Sequence, residues 1–361
     1  MLVAVMKGSM MTNCQFAQGC RFVRQLCALA LTCSLISCDK SSPPLVSEVV
    51  IYTSLDRPHS KPVLDRFEKE TGIRVKALYD TEASKTVGLV NRLIGEASHP
   101  QADVFWSSEV IRTLVLKDKG VLAAYRSPAA DQIPPEFRDA EGYWTGFAAR
   151  ARVLLVNTGL TQEAPATPQD LTKPQWRGKF AMANPLFGTT GTEVANTWVN
   201  WGPERTRRYL SELRENDAVI TSGNATACEM VANGRIPICM TDTDDAFTAI
   251  DQGHPVRMIF PDQGEGAGGA LLIPNTVSLI KNSPNSENGK KLIDFLLSAE
   301  VEEMLAQSVA GQIPVRPEVS QPEKVRAFGK IRFMKADFER AAKAIPESSE
   351  AVRGLLLDPK P

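Results

Sequence analysis

The run VVIYTSLDRPHSKPVLDRFEKETGIRVKA, residues 49–77, predicts a strand, a helix and a second strand in direct succession. It opens on apolar and partly β-branched residues, which is typical of a short buried strand. Pro58 suits the first turn of a helix, and Gly72 suits the position just after a helix end. Apolar residues then alternate over 73–77, which predicts the next strand. Two parallel strands joined by a helix form the basic unit of α/β folds.

The same alternation continues along the rest of the chain. It predicts helices over 87–94, 114–116, 193–201, 204–215, 225–231, 244–252 and 290–307, and strands over 102–106, 146–157, 178–182, 236–240 and 270–280. This rhythm indicates an α/β fold with two lobes and a mainly parallel sheet in each. We expect 48–147 plus 270–325 to form the first lobe and 148–269 plus 326–361 the second. The long strands near 150 and 275 would cross between the lobes as hinges.

Composition and charge exclude several classes of protein. The 361 residues include 41 basic and 42 acidic side chains, a net charge of −1, so the basic excess of a nucleic-acid-binding protein is absent. The three histidines are scattered, and no Cys/His cluster has the spacing of a zinc site. No Ser/His/Asp or Cys/His set accompanies the acidic residues described below, so we expect a binding protein rather than an enzyme.

The N-terminal residues 1–37 have the pattern of a bacterial lipoprotein signal peptide. Basic residues precede the apolar run Leu26–Ile36, which is too short to span a bilayer. The run ends in Leu-Ile-Ser-Cys, which predicts cleavage before Cys38 and lipid on its sulfur, with 38–47 as a tether. Plain secretion or an uncleaved anchor are the alternatives. Two other cysteines, Cys228 and Cys239, either pair in an oxidising compartment or are two small buried residues.

Acidic and hydroxyl residues follow three of the predicted strands. Ligands of open α/β sheets bind at the carboxyl ends of the strands, so these positions are candidates for a site. The candidate cation ligands are Asp56, Glu109, Asp242, Asp244 and Asp245. Crowded carboxylates repel one another unless a metal ion or an amine joins them. The alternative is that these side chains only cap helix starts.

A second cluster offers hydrogen-bond donors instead of acceptors. Thr189, Thr190, Gly191 and Thr192 form a turn ahead of a helix predicted to begin near Glu193, and such a turn presents donors to an anion. It lacks the lysine of a nucleotide-binding loop, which excludes nucleotide hydrolysis. Arg150 and Arg152 share one face of the long strand, where they would pair with the acids above or with a bound anion.

Over residues 47–330 the chain resembles the periplasmic solute-binding proteins of ABC importers. The resemblance to their ferric-iron, thiamine and phosphonate branch lies in the stretches 50–54, 67–75, 101–106, 150–158 and 294–298. It implies the two-lobed type II periplasmic binding protein fold, with lobes that close on a ligand. It also implies a periplasmic, lipid-anchored monomer whose partners are an ABC permease and its ATPase.

The resemblance implies which residues of this chain occupy the ligand positions of the family. The paired tyrosines of ferric-binding members fall on Asp244 and Asp245, and the histidine ligand falls near Asp56. The glutamate ligand falls on Ser108 or Glu109, and the anion turn and its asparagine fall on Thr190–Thr192 and Asn224. The nominal ligand is therefore Fe³⁺ with a small anion, carried as cargo and not as a cofactor. A phosphonate, a phosphorylated organic solute or a polyamine is the alternative, and a metal-dependent hydrolase is a less favoured one.

Overall fold

The computed structural model describes residues 47–80 and 86–358. Its strands are β1 (Glu48–Thr53), β2 (Arg74–Tyr79), β3 (Val104–Ser107), β4 (Leu122–Ala123), β5 (Thr145–Asn157), β6 (Phe180–Ala183), β7 (Val219–Thr221), β8 (Ile238–Asp242), β9 (Val256–Ile259) and β10 (Leu272–Ile280). Its helices are α1 (Arg57–Thr71), α2 (Val87–Gly95), α3 (Ile111–Asp118), α4 (Gly188–Trp201), α5 (Pro203–Glu215), α6 (Asn224–Ala232), α7 (Thr243–Asp251), α8 (Ser286–Leu296), α9 (Ala299–Gln307), α10 (Glu323–Arg326) and α11 (Phe338–Val352).

The described strands form one mixed sheet in the order β2-β1-β3-β10-β5-β8-β6-β7, with β4 beside β10 and β9 beside β5. The pairs β1·β2, β1·β3, β6·β7 and β6·β8 are parallel. Every antiparallel pair in the described chain includes β5 or β10. The predicted α/β class is therefore confirmed: the pairs that exclude the two long strands are parallel.

Strand β5 changes partners halfway along its length. Its residues up to Ala151 pair with β10, and from Arg152 onward they pair with β8 and β9. All of its residues are buried. Ala148 has a φ of +41°, and the register with β10 shifts between Pro274 and Asn275. These two strands thus join a first half of the sheet (β1–β4 and β10) to a second half (β6–β9).

Helices pack on both faces of the sheet through buried apolar side chains. This packing fixes the positions of the strand ends. In the first half, Phe67 of α1 packs with Trp106 of β3 and Leu292 of α8, and all three are buried. In the second half, Phe180 of β6 packs with Trp198 of α4 in a separate cluster. Burying side chains of this size is worth roughly 1.5–3 kcal/mol each, so the strand ends are held by large apolar contacts.

Several predicted boundaries are wrong, and three of them change the interpretation of a segment. The segment 290–307 is two helices: α8 ends at Leu296, and Ser298 caps α9 by accepting a hydrogen bond from the Val301 amide at 3.2 Å. Helix α4 begins at Gly188, so the threonine turn is already helical. Strand β8 continues to Asp242 because it pairs with β5 as far as Arg152.

The predicted signal peptide, the tether up to residue 46 and Cys38 lie outside the described residues. Within 47–80 and 86–358, no helix combines the length and the hydropathy needed to cross a membrane. Cys228 and Cys239 are both buried, and neither forms a disulfide bond. Of the two alternatives for this pair, the structure supports two small buried side chains.

Candidate functional site

Five helix starts meet at one pocket, at the carboxyl ends of strands from both halves of the sheet. Asp56 precedes α1 after β1, and Ser108 follows β3 before α3. From the second half come the first turn of α4, the start of α6 and the start of α7. The lining residues include Asp56, Ser108, Arg150, Thr189, Thr190, Ser222, Asn224, Asp242, Asp244 and Asp245. The free space among them is about 420 Å³, part of it open to solvent.

The predicted site residues are divided between the pocket and the layer behind it. Asp56, Arg150, Thr189, Thr190, Asn224, Asp242, Asp244 and Asp245 line the pocket. Arg152, Gly191, Thr192 and Glu109 lie behind it. A Cβ on Gly191 would come within 3.1 Å of the Pro185 carbonyl oxygen, so this glycine allows a close backbone approach. The structure thus brings together most of the acidic cluster and half of the donor turn.

Glu109 is fully buried and holds two helices together. Its carboxylate accepts hydrogen bonds from the amides of Ile111 at 2.7 Å and Arg112 at 3.1 Å, at the start of α3. It also accepts one from the Thr192 hydroxyl of α4 at 2.8 Å. Both predicted residues therefore contact each other and not the pocket, a relation that depends on the packing of α3 against α4.

Asp242 is saturated by neighbours on three elements. One carboxylate oxygen accepts from Arg152 Nη1 at 2.8 Å. The other accepts from the Thr189 hydroxyl at 2.6 Å and from Asn224 Nδ2 at 2.9 Å. Because both oxygens are engaged and the residue is buried, Asp242 mainly fixes the starts of α4 and α6 relative to β8.

Arg152 is the hub of this network. Its guanidinium also pairs with Glu193 at 3.0 Å and donates to the Thr190 hydroxyl at 3.3 Å. Burial alone would lower the pKa of Arg152, but Glu193 and Asp242 raise it further than burial lowers it. The side chain stays charged and neutralises carboxylates that would otherwise be buried alone.

Arg150 is as buried as Arg152 but has fewer partners. Nη1 lies 3.3 Å from an Asp244 carboxylate oxygen, and Nη2 donates to the Asn275 side-chain oxygen at 3.0 Å. Within the described part of the chain, its Nε has no hydrogen-bond acceptor. Burial would lower the pKa of Arg150, but Asp244, Asp242, Asp56 and Asp245 together raise it. This guanidinium therefore has one buried N–H that no described group accepts.

The acids at the start of α7 form a carboxylate cluster. Oxygen atoms of Asp242, Asp244 and Asp245 lie within 4.8 Å of one another. The Asp245 carboxylate accepts from the Thr241 hydroxyl at 3.2 Å. With Asp56, four carboxylates and one guanidinium line the pocket. This surplus of negative charge favours a ligand with a positive centre.

Two helix starts also line the same pocket. They are the first turn of α4 (Gly188–Thr190) and the start of α6 (Ser222–Asn224), and the first N–H groups of a helix have no intrahelical acceptor. Helix starts of this kind favour an anionic group. Ser222 and Gly223 were not among the predicted residues, because β7 has only three residues and its pattern is short. The polar residues that follow the apolar pattern Val219-Ile220-Thr221 could have indicated them.

The fold and this pocket define an extracytoplasmic solute receptor with a site at the strand ends. The family model described as bacterial extracellular solute-binding protein matches residues 63–332, and the chain belongs to that family. It is the solute-binding component of an ABC importer.

Individual relatives and structures agree with this assignment. The chain is 28% identical over 292 residues to a Salmonella typhi periplasmic protein named for binding 2-aminoethylphosphonate, covering 79% of this chain and 84% of the relative. It is 27% identical over 322 residues to Iron uptake protein A1 of a Synechocystis strain, covering 86% and 87%. The iron-bound HitA structure from Pseudomonas aeruginosa matches with a TM-score of 0.78 at 21% identity, over 86% of this chain and 99% of that chain.

Proposed function

We propose that this receptor binds a small zwitterion of the aminophosphonate class, with an ammonium group and a phosphonate joined by a short linker. The observation that carries the proposal is the presence of surplus carboxylates and helix-start donors in one pocket. Asp56, Asp244 and Asp245 would hold the ammonium. The backbone N–H groups at the starts of α4 and α6 would hold the phosphonate oxygens, and the Arg150 guanidinium would add its positive charge. The Salmonella relative named above supports this ligand class.

Ferric iron with a small anion is the second candidate. The carboxylate cluster at the start of α7 and the relative named Iron uptake protein A1 favour it, because hard cations prefer oxygen ligands. However, two of the three clustered acids already pair with Arg150 and Arg152. Among the described lining residues there is no tyrosine or histidine. The iron would be cargo and would have to displace at least one arginine.

Calorimetry with matched ligands separates the two candidates. We expect the full chain to bind 2-aminoethylphosphonate, and ethylphosphonate or ethylamine, which each carry one charged end, to bind at least a hundredfold more weakly. Asp245→Asn should weaken the zwitterion strongly, whereas Asp251→Asn, at the exposed far end of the same helix, should not. Equal binding of ethylphosphonate would contradict the ammonium site. Tighter binding of ferric citrate than of the zwitterion would favour iron.

We also propose that the ligand is enclosed by closure of the two lobes defined above, 48–147 plus 270–325 and 148–269 plus 326–361. The change of partners along β5 and the register shift in β10 support a hinge where these strands cross. Small-angle scattering with and without 2-aminoethylphosphonate tests this. A decrease in the radius of gyration is expected, and an unchanged curve at saturating ligand would oppose the hinge.

The membrane attachment is proposed from the sequence pattern alone. Lipid on Cys38 would hold the receptor at a bacterial membrane near its permease. Cys38→Ala should release the protein from the membrane fraction or block its processing. A variant that fractionates and migrates like the parent would contradict the lipid anchor.

A further inference from the structure

A second cavity lies against β6 and β8, under α4. Its apolar wall is formed by Met182, Met240, Leu271, Val194, Trp201 and Met334. The free space there is about 610 Å³, part of it open to solvent. It shares no lining residue with the pocket described above.

The polar part of this cavity includes carboxylates and one unpartnered amide oxygen. Two carboxylates, Glu193 and Asp262, line it. Asn196, a residue only 2% exposed, also lines it, and no described residue donates a hydrogen bond to its side-chain oxygen. A buried amide oxygen without a donor costs roughly 1–3 kcal/mol. A ligand that supplies an N–H would recover that cost.

The charges around the cavity favour a cation. The one lining guanidinium, Arg152, already pairs with Glu193 and Asp242. Burial raises the pKa of Asp262, and the neighbouring Asp170 raises it further, while Arg205 opposes both. A carboxylate that is costly to ionise gains from a cation placed beside it. The apolar wall opposite would receive the hydrocarbon part of such a ligand.

We propose that this cavity is a second binding site, for a small primary ammonium ion with a short apolar chain. The ammonium donates to the Asn196 side-chain oxygen and pairs with Asp262 and Glu193. The chain packs against Met182, Met240 and Leu271. The proposal uses none of the residues that line the zwitterion pocket, so the failure of either proposal leaves the other standing.

Calorimetry and thermal unfolding of the full chain with n-butylammonium test this site at constant ionic strength. n-Butanol and butyrate are the matched neutral and anionic probes. Asp262 has a φ of +56°, a conformation that asparagine tolerates, so Asp262→Asn removes the charge without changing the turn. Glu265→Gln makes the same change in charge at an exposed position of the same loop. Asn196→Leu removes the acceptor, and its folding is checked by circular dichroism.

We expect saturable binding of one n-butylammonium, little binding of the other two probes, and at least a tenfold loss of affinity in Asp262→Asn and in Asn196→Leu. Glu265→Gln should bind like the parent. The Asp244→Asn/Asp245→Asn double variant should also bind like the parent, since it alters only the first pocket. The proposal is overturned by the absence of saturable binding in the parent, by equal binding in Asp262→Asn, or by loss of binding in the double variant.

Discussion

Arg150 and Arg152 stand two residues apart on β5 and are equally buried, yet their surroundings differ. Arg152 pairs with two carboxylates and donates to hydroxyls at the start of α4. Arg150 has one carboxylate at 3.3 Å and one amide, and its Nε is left without a described acceptor. The same spacing in the sequence thus produces one arginine whose partners surround it and one arginine with an unpartnered N–H.

The difference follows from the partners of β5. At Arg152 the strand has joined β8, so its side chain meets Asp242 at the end of that strand and the threonines of α4. At Arg150 the strand still pairs with β10, and Asn275 of that strand accepts a hydrogen bond from the guanidinium. A buried hydrogen-bond network in which every group has a partner is rigid. A network beside a pocket that contains an unpartnered group can still gain a hydrogen bond.

Removing Arg152 should have the largest effect on stability. Arg152→Met would leave Asp242 and Glu193 without their counter-charge, which costs about 3–5 kcal/mol. Urea unfolding of the unliganded protein measures this loss. As a control, Arg177→Met removes an exposed pair with Asp217 and should cost roughly 0–1 kcal/mol. Similar losses in the two variants would mean that Arg152 is not the hub of the network.

Removing the other arginine should reduce binding more than stability. Arg150→Met loses one charged contact to Asp244 at the edge of a solvent-connected pocket, so we expect a loss of about 1.5–3 kcal/mol in the free energy of unfolding. The same variant should bind 2-aminoethylphosphonate far more weakly than the parent. A stability loss as large as that of Arg152→Met, with unchanged binding, would reverse the roles assigned to the two side chains.

Asp244 and Asp245, which are adjacent on α7, should differ less in their effect on stability than the two arginines do. Asp244→Asn leaves Arg150 without its carboxylate and should destabilise the unliganded protein. Asp245→Asn reduces repulsion in the cluster, so its unfolding free energy should stay within about 0.5 kcal/mol of the parent or rise. Both variants should lose most of the roughly 2.7 kcal/mol that a ligand adds at a hundred times its dissociation constant. Thermal unfolding with and without 2-aminoethylphosphonate measures the stability of the unliganded protein and the increment that the ligand adds. An equal increment in Asp245→Asn and in the parent would exclude Asp245 as a ligand-binding residue.

Most of the fold was predictable because its signals are local. The strand and helix around Val49 and Gly72 and the long strand β5 follow from apolar spacing and from proline and glycine positions. The missed break at Ser298 lies inside a continuous apolar pattern, where only a capping hydrogen bond marks the boundary. Helix α11 was not predicted, although it packs against α3 and α4.

The candidate site was predictable in position but not in the role of each residue. Polar residues at strand ends identified the acids of α7 and the threonines of α4. That Glu109 and Asp242 are already occupied could not be inferred, because their partners Thr192, Arg152 and Asn224 come from distant segments. Which carboxylate faces the pocket depends on those contacts and not on spacing.

The smallest expected effect concerns the layer beneath the acids. The Cys228 thiol donates to the Asp245 carbonyl oxygen at 3.3 Å, and burial raises the pKa of both Cys228 and Cys239, with nearby acids adding to the rise for Cys228. The thiolate is the reactive form, so neither thiol should be alkylated by iodoacetamide in the native protein between pH 7 and 9.

The raised pKa of the two thiols also sets the direction in which folding stability changes with pH. Thiols ionise near pH 8.5 in the unfolded chain and only at higher pH in the fold, so their contribution to stability is complete below about pH 8.5 and is lost as the pH rises beyond it. Mass spectrometry after alkylation, with the urea-unfolded protein as the positive control, measures the reaction. Alkylation of Cys228 in the native protein at pH 8 would show that the residues under Asp245 open to solvent. Those residues would then resemble the incompletely paired surroundings of Arg150 and not the fully paired surroundings of Arg152.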